Sequence, residues 1–218
     1  MHSVIADDYL NMAAIGYPAR LMNTAAPRAI SRDNLNELPV RRYEGPVSFV
    51  DTPALLHAAL TDIRGERVAG FDTETRPAFR KGESYLPSIV QVATARQVYI
   101  FPLRYPDTHG VLGELLAAPH TAKAGVALAY DLRTLKQVFP FTERHMLDLG
   151  QIAKRRGYEQ TGVRNLAGLF LGYRIPKGAK TTNWSAPQLT AAQIVYAATD
   201  AWVSRELYLK FEAEGMIG

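Results

Sequence analysis

Three runs rich in β-branched and aromatic residues, RVAGFD (67–72), SIVQVAT (88–94) and QVYIFPL (97–103), constrain the fold of this chain more than any other feature. Two residues separate the second run from the third, a spacing that closes an antiparallel hairpin, and the first run stands beside it as the opening strand of a meander. Upstream, 47–50 suits a short strand, and Pro53 begins a helix running into ALLHAALTDI. Downstream, helical and extended patterns alternate: a helix near 111–117, a strand near 123–127, an amphipathic helix near 130–138 and a strand near 146–149. Helices near 151–156 and 163–171 follow, the latter stopped by Gly172, and a long helix spans 191–213. A meander followed by such units predicts an α/β fold, with antiparallel and parallel strands in one mixed β-sheet flanked by α-helices. Residues 1–46 carry Pro18, Pro27, Pro39 and Pro46 with no sustained period, and read as an N-terminal extension to a domain spanning 47–218.

The first run closes on FDTET, Phe71–Thr75. Side chains two apart on a strand share a face, so Asp72 and Glu74 project side by side and raise each other's pKa unless a cation compensates. In isolation such a pair is an ordinary solvated strand end. Asp131, in AGVALAYDLRTL, follows an apolar strand and opens a helix, where an Asp is ordinarily a cap or a first-turn charge favoured by the helix dipole. Asp200 is the only charge in IVYAATDAWV (194–203). An ionised carboxylate on such a face costs several kcal/mol without a partner, so it must meet a cation, a metal, or a hydrogen-bond donor such as Tyr196, one turn earlier on the same face.

The chain has no cysteine, so thiolate sites are excluded and a metal here is held by oxygen or imidazole. The histidines (His2, His57, His109, His120, His145) are scattered with no pair at ligand spacing, which favours carboxylates as ligands. Hard oxygen ligands select Mg²⁺ or Mn²⁺, and two such ions are the usual device for in-line phosphodiester displacement.

In this order FDTET, AYDLRTL and YAATDAW resemble the three motifs of the four-acid 3′-5′ exonuclease superfamily. The Tyr196–Asp200 spacing is similar to that of its Tyr-containing branch, which includes ribonuclease D and the Werner syndrome exonuclease domain. The resemblance covers about Val47 to Phe211 and implies a ribonuclease H-like fold. It also implies two-metal-ion removal of nucleoside 5′-monophosphates from nucleic-acid 3′ ends. Carried over by residue, Asp72 bridges both ions, Glu74 and Asp200 complete the first site, Asp131 helps hold the second through water, and Tyr196 orients the attacking water.

Between Gln151 and Lys180 seven basic residues face one acid, a local +6 that leaves the rest of the chain at −2 within the formal +4. A solvated helix face is the ordinary reading of such a run. Lys177 and Lys180, however, precede Asn183 and Trp184 in a loop suited to phosphate contact. Thr73, Arg76, Phe79, Arg80 and Lys81, in and just after the first motif, are the other candidates for gripping a DNA or RNA end. Trp184 is a core anchor or a base-stacking platform. The N-terminus has no basic segment followed by an apolar run, and no stretch approaches the roughly 20 apolar residues of a membrane span. A cytoplasmic protein without membrane contact is expected. Two other functions use the same residues: a non-catalytic nucleic-acid-binding module, and a small-molecule phosphodiesterase.

Overall fold

Six strands form one sheet in the order β1-β4-β3-β2-β5-β6: β1 (Val47–Phe49), β2 (Val68–Thr75), β3 (Pro87–Ala93), β4 (Val98–Pro102), β5 (Ala122–Gly125) and β6 (Met146–Asp148). The structure is a computed structural model that describes residues 27–178 and 181–217; Lys180 and residues 1–26 of the expected extension lie outside it. β2, β3 and β4 are the antiparallel meander, while β1 joins β4, β5 joins β2, and β6 joins β5 in parallel. The expected mixed sheet is therefore observed.

Alternation along β2 separates the two layers. Ala69 and Phe71 face a dry core with Val90, Val92, Tyr99 and Phe101, closed by helices α2 (Pro53–Arg64), α3 (His109–Ala117) and α4 (Leu128–Leu135). Full burial of a side chain like Phe71 contributes about 1.5–3 kcal/mol. Gly70, Asp72 and Glu74 alternate with these and pair with Ala93, Gln91 and Ile89 of β3. This second face lies under α7 (Ala191–Ala213), whose Ala197, Ala198 and Ala201 pack against Ile89, Ala93, Val98 and Ile100. The C-terminal half of α7 closes a further core with α5 (Leu149–Arg155) and α6 (Val163–Leu166).

Local chemistry sets the element ends. A capping box between Thr190 and Gln193 starts α7 at its expected residue. Helix α6 continues as a wider turn over Ala167–Leu171 and stops at Gly172, whose φ of 69° is left-handed. β5 ends at Gly125, two residues before its expected limit, because Ala127 adopts φ 61° and turns the chain into α4. Helix α1 (Arg32–Glu37), capped by Ser31, was not expected; with no buried residue it shows no apolar period. Residues 38–43 cross the molecule as a strap, with Val40 bridged to Arg174. Among the described residues no helix is long and apolar enough to cross a membrane.

Candidate active site

Helix α7 approaches β2 most closely at Gly70. A Cβ there would fall on the carbonyl oxygen of Ala201 and 2.9 Å from the amide nitrogen of Arg205, so only glycine lets the helix backbone lie on the strand. Asp200, next to Ala201, consequently meets Asp72 and Glu74: a carboxylate oxygen from each of the three lies within 4.8 Å of the others. Glu74 and Asp200 are buried and Asp72 is half-buried. Sequence reasoning missed Gly70, although a glycine inside an otherwise β-branched and aromatic strand is its signal.

Burial pushes the Asp72 carboxyl well above the usual range, and the charges of Asp200, Glu74 and Asp131 push it further; the backbone N–H of Thr73 opposes them. Asp131, in the first turn of α4, stands outside the triplet but close enough for its charge to act on Asp72. The Tyr196 hydroxyl is raised above its ordinary value by burial and by Asp200, with which it shares a hydrogen bond. Its ring lies 6.0 Å from that of Trp184.

Among the described residues Asp72 makes no ion pair, and the three carboxylates converge on one point. An all-oxygen donor set crowded in this way fits a hard divalent cation. Gln91, directly across from Asp72 on β3, is fully buried and neither atom of its amide is hydrogen-bonded.

The start of the helix that carries Asp131 is bonded by a residue the sequence pattern does not single out. Asp148, at the end of β6, accepts from the backbone N–H groups of Ala127 (3.2 Å), Leu128 (3.1 Å) and Gln151 (3.1 Å). One carboxylate thereby caps α5 and holds the entry to α4. An Asp before a helix signals the cap; its partners twenty residues upstream carry no local signal.

The expected substrate contacts divide into several groups. Phe79 is 77 % exposed, and Arg76, Arg80 and Lys81 are exposed on the same β2–β3 connection, with the Arg76 guanidinium 4.7 Å from the centre of the Tyr85 ring. Lys177 lines a cleft with Tyr196 and Asp200. Thr73 is buried with its side chain on the strand face opposite the acids. Asn183 is exposed, but its side-chain oxygen accepts from the Ser185 N–H and closes a turn. Trp184 is corrected: it is 0 % exposed, packed with Ile89, Ile100 and Ala197, and offers no face to a base. The basic segment is not one surface either, since Arg156 donates to the Gly215 and Met216 carbonyls and Arg174 to that of Leu38.

The model of a family described as 3′-5′ exonuclease matches residues 47–215. Ribonuclease D of Haemophilus influenzae is 30 % identical over 182 residues, 80 % of this chain and 44 % of the relative. The chain thus spans less than half the length of that relative. The crystal structure of the Aedes aegypti Nibbler EXO domain superposes with a TM-score of 0.72 at 22 % identity, over 80 % of this chain and 92 % of that one. Trypanosoma brucei RNase D in complex with RNA U12 gives a TM-score of 0.68 at 20 % identity, over 77 % of this chain and 62 % of that one.

Proposed function

The chain belongs to the 3′-5′ exonuclease family and has its ribonuclease H-like mixed sheet, and on that premise we propose that it removes nucleoside 5′-monophosphates from the 3′ end of an RNA strand. The observation that carries this reading is the convergence of Asp72, Glu74 and Asp200 within 4.8 Å, with Tyr196 hydrogen-bonded to Asp200. RNA is favoured over DNA by the ribonuclease D relatives and by the RNA-bound neighbour.

Asp72, Glu74 and Asp200 would hold one Mg²⁺ or Mn²⁺, and Asp131, with Asp72, a second. When bound, the ions neutralise these carboxylates and stabilise the charge that develops on the phosphate. Tyr196 holds the attacking water in line with the phosphorus. The water oxygen bonds to phosphorus, the bond from phosphorus to the 3′ oxygen breaks, and a water proton ends on that oxygen. A shortened strand with a new 3′ hydroxyl and a free 5′-monophosphate result. Lys177 and the exposed Arg76, Arg80 and Lys81 hold the strand's phosphates, and Phe79 stacks on a terminal base.

The test is a matched panel of 5′-labelled RNA and DNA oligonucleotides with Mg²⁺ or Mn²⁺. The expected result is a ladder shortened one nucleotide at a time from the 3′ end, faster on RNA. Absence of shortening on every substrate overturns the reading in favour of a binding module, and preference for a dinucleotide over a long oligomer overturns it in favour of a phosphodiesterase.

A further inference from the structure

The strap of residues 38–43 is pinned at two places. On one side the Arg41 N–H donates to the Arg174 carbonyl (2.9 Å), the Arg174 N–H donates to Pro39 (2.9 Å), and the Arg41 guanidinium lies over the Tyr173 ring. On the other the Tyr43 N–H donates to Thr199 Oγ1 (3.0 Å), and the Tyr43 ring meets Trp202 at 6.0 Å. Arg42 lies between these anchors, so its backbone is fixed one residue from a contact with α7. It borders a cleft of about 360 Å³ that it shares with Lys177, Tyr196 and Asp200, over an apolar floor that includes Pro176 and Val195. Arg42 is exposed and, among the described residues, makes no ion pair.

A cation held on a fixed backbone, unneutralised, across a cleft from a carboxylate cluster has the chemistry of a phosphodiester site. The acids serve the scissile phosphate, the guanidinium can take a neighbouring phosphate in a bidentate contact, and the apolar floor fits a sugar or base face. We propose that Arg42, together with Lys177, binds the backbone phosphate next to the scissile bond, so that the strap extends the substrate site beyond the nuclease domain. Arg42 lies outside the residues 47–215 matched to the family. The proposal rests on the exonuclease reading for which phosphate is scissile, and on the geometry alone for anion binding.

The experiment compares the wild type with Arg42→Ala and Arg42→Lys; the side chain is exposed, so neither change disturbs the core. Binding of a fluorescein-labelled single-stranded RNA is measured by anisotropy in EDTA across a salt series, and cleavage is measured separately with Mn²⁺. For Arg42→Ala the slope of log K against log salt is expected to fall in magnitude by about 0.7, one phosphate contact on a single strand. KM is expected to rise about tenfold, the loss of one charge-assisted contact, with kcat within about threefold and the slope restored by Arg42→Lys. An unchanged slope and KM in a wild type that cleaves overturns the Arg42 site and leaves the exonuclease reading standing. An Arg42-dependent slope in a protein that cleaves nothing supports the site and overturns the exonuclease reading instead.

Discussion

Asp200 sits inside a 23-residue helix begun by a capping box and laid on β2 at Gly70, whereas Asp131 sits in the first turn of an eight-residue helix entered through Ala127 at φ 61°. The first is placed by backbone packing over several turns of α7; the entry to the second's helix is held by two hydrogen bonds to one carboxylate, Asp148. The difference separates a half of the site that cannot move without unpacking the sheet from a half whose short helix packs Leu128 and Leu135 into the core and whose entry is held by hydrogen bonds. It also matches the charges: the packed half holds the three crowded carboxylates, and the hydrogen-bonded half holds the acid outside the triplet.

The largest effect is expected in the packed half. Asp72→Asn removes the charge at the centre of the cluster, and activity should fall about a thousandfold or more, because a divalent ion supplies several kcal/mol and each 1.36 kcal/mol is tenfold. Stability should move the other way. A carboxyl raised in the folded state contributes stability that is present at low pH and lost as pH rises, and Asn mimics the protonated form. In EDTA at neutral pH the variant should therefore melt higher than the wild type, by roughly 2–4 °C per kcal/mol of repulsion relieved. Calorimetry of both proteins from acid to neutral pH checks this; a wild type whose Tm does not decline relative to the variant's would show that the cluster is balanced by a cation.

Next is Gly70→Ala. A methyl group where the Ala201 carbonyl lies must lift α7, costing about 3 kcal/mol of stability. A displacement of about 1 Å at Asp200 should reduce kcat by about a hundredfold even in molecules that fold. Retained kcat would mean that the packed half is less fixed than the close approach implies, and the contrast with Asp131 would collapse.

Much of this site was legible in the sequence because its residues signal locally. Period-two alternation put Asp72 and Glu74 on one face, a lone charge in an apolar helix marked Asp200, and one helical turn related it to Tyr196. The meander and α7 were equally legible, since each buries a regular face. The strap was not: its hydrogen bonds go to Arg174 and Thr199, far along the chain, so Pro39–Tyr43 shows neither period and Arg42 looks like an ordinary surface arginine. Trp184 was ambiguous because an aromatic beside a basic loop suits both a core and a stacking face; burial beneath Tyr196 decides for the core. Asp148 announced its role as a helix cap and concealed its hold on α4.

In the hydrogen-bonded half, Asp148→Ala should leave the triplet in place while freeing the start of α4. Loss of such a supporting group typically reduces metal affinity or activity by 10–100-fold. The expected signature is a fall of about that size in kcat that higher Mn²⁺ partly restores, with the stoichiometry of the tighter Mn²⁺ site unchanged by isothermal titration. Loss of the tight site as well would show that Asp148 supports the whole cluster and that the two halves are not independent.

The smallest effect tests whether Asp148 acts through Ala127. A non-glycine residue in the left-handed region costs roughly 1–2 kcal/mol, and glycine gives back about 0.5–1 kcal/mol of that through its greater freedom in the unfolded chain. Ala127→Gly alone should therefore gain up to about 1 kcal/mol in denaturant melts with little change in rate. With the Asp148 carboxylate gone, an alanine at 127 loses two of the bonds around its strained turn, while a glycine keeps the conformation at no steric cost. The Asp148→Ala, Ala127→Gly double variant should accordingly regain part of the activity lost in Asp148→Ala, a non-additivity that independent sites do not show. Strict additivity would mean that the Asp148 bonds do not set the entry of α4, and that Asp131 is placed by the packing of Leu128 and Leu135 in the core.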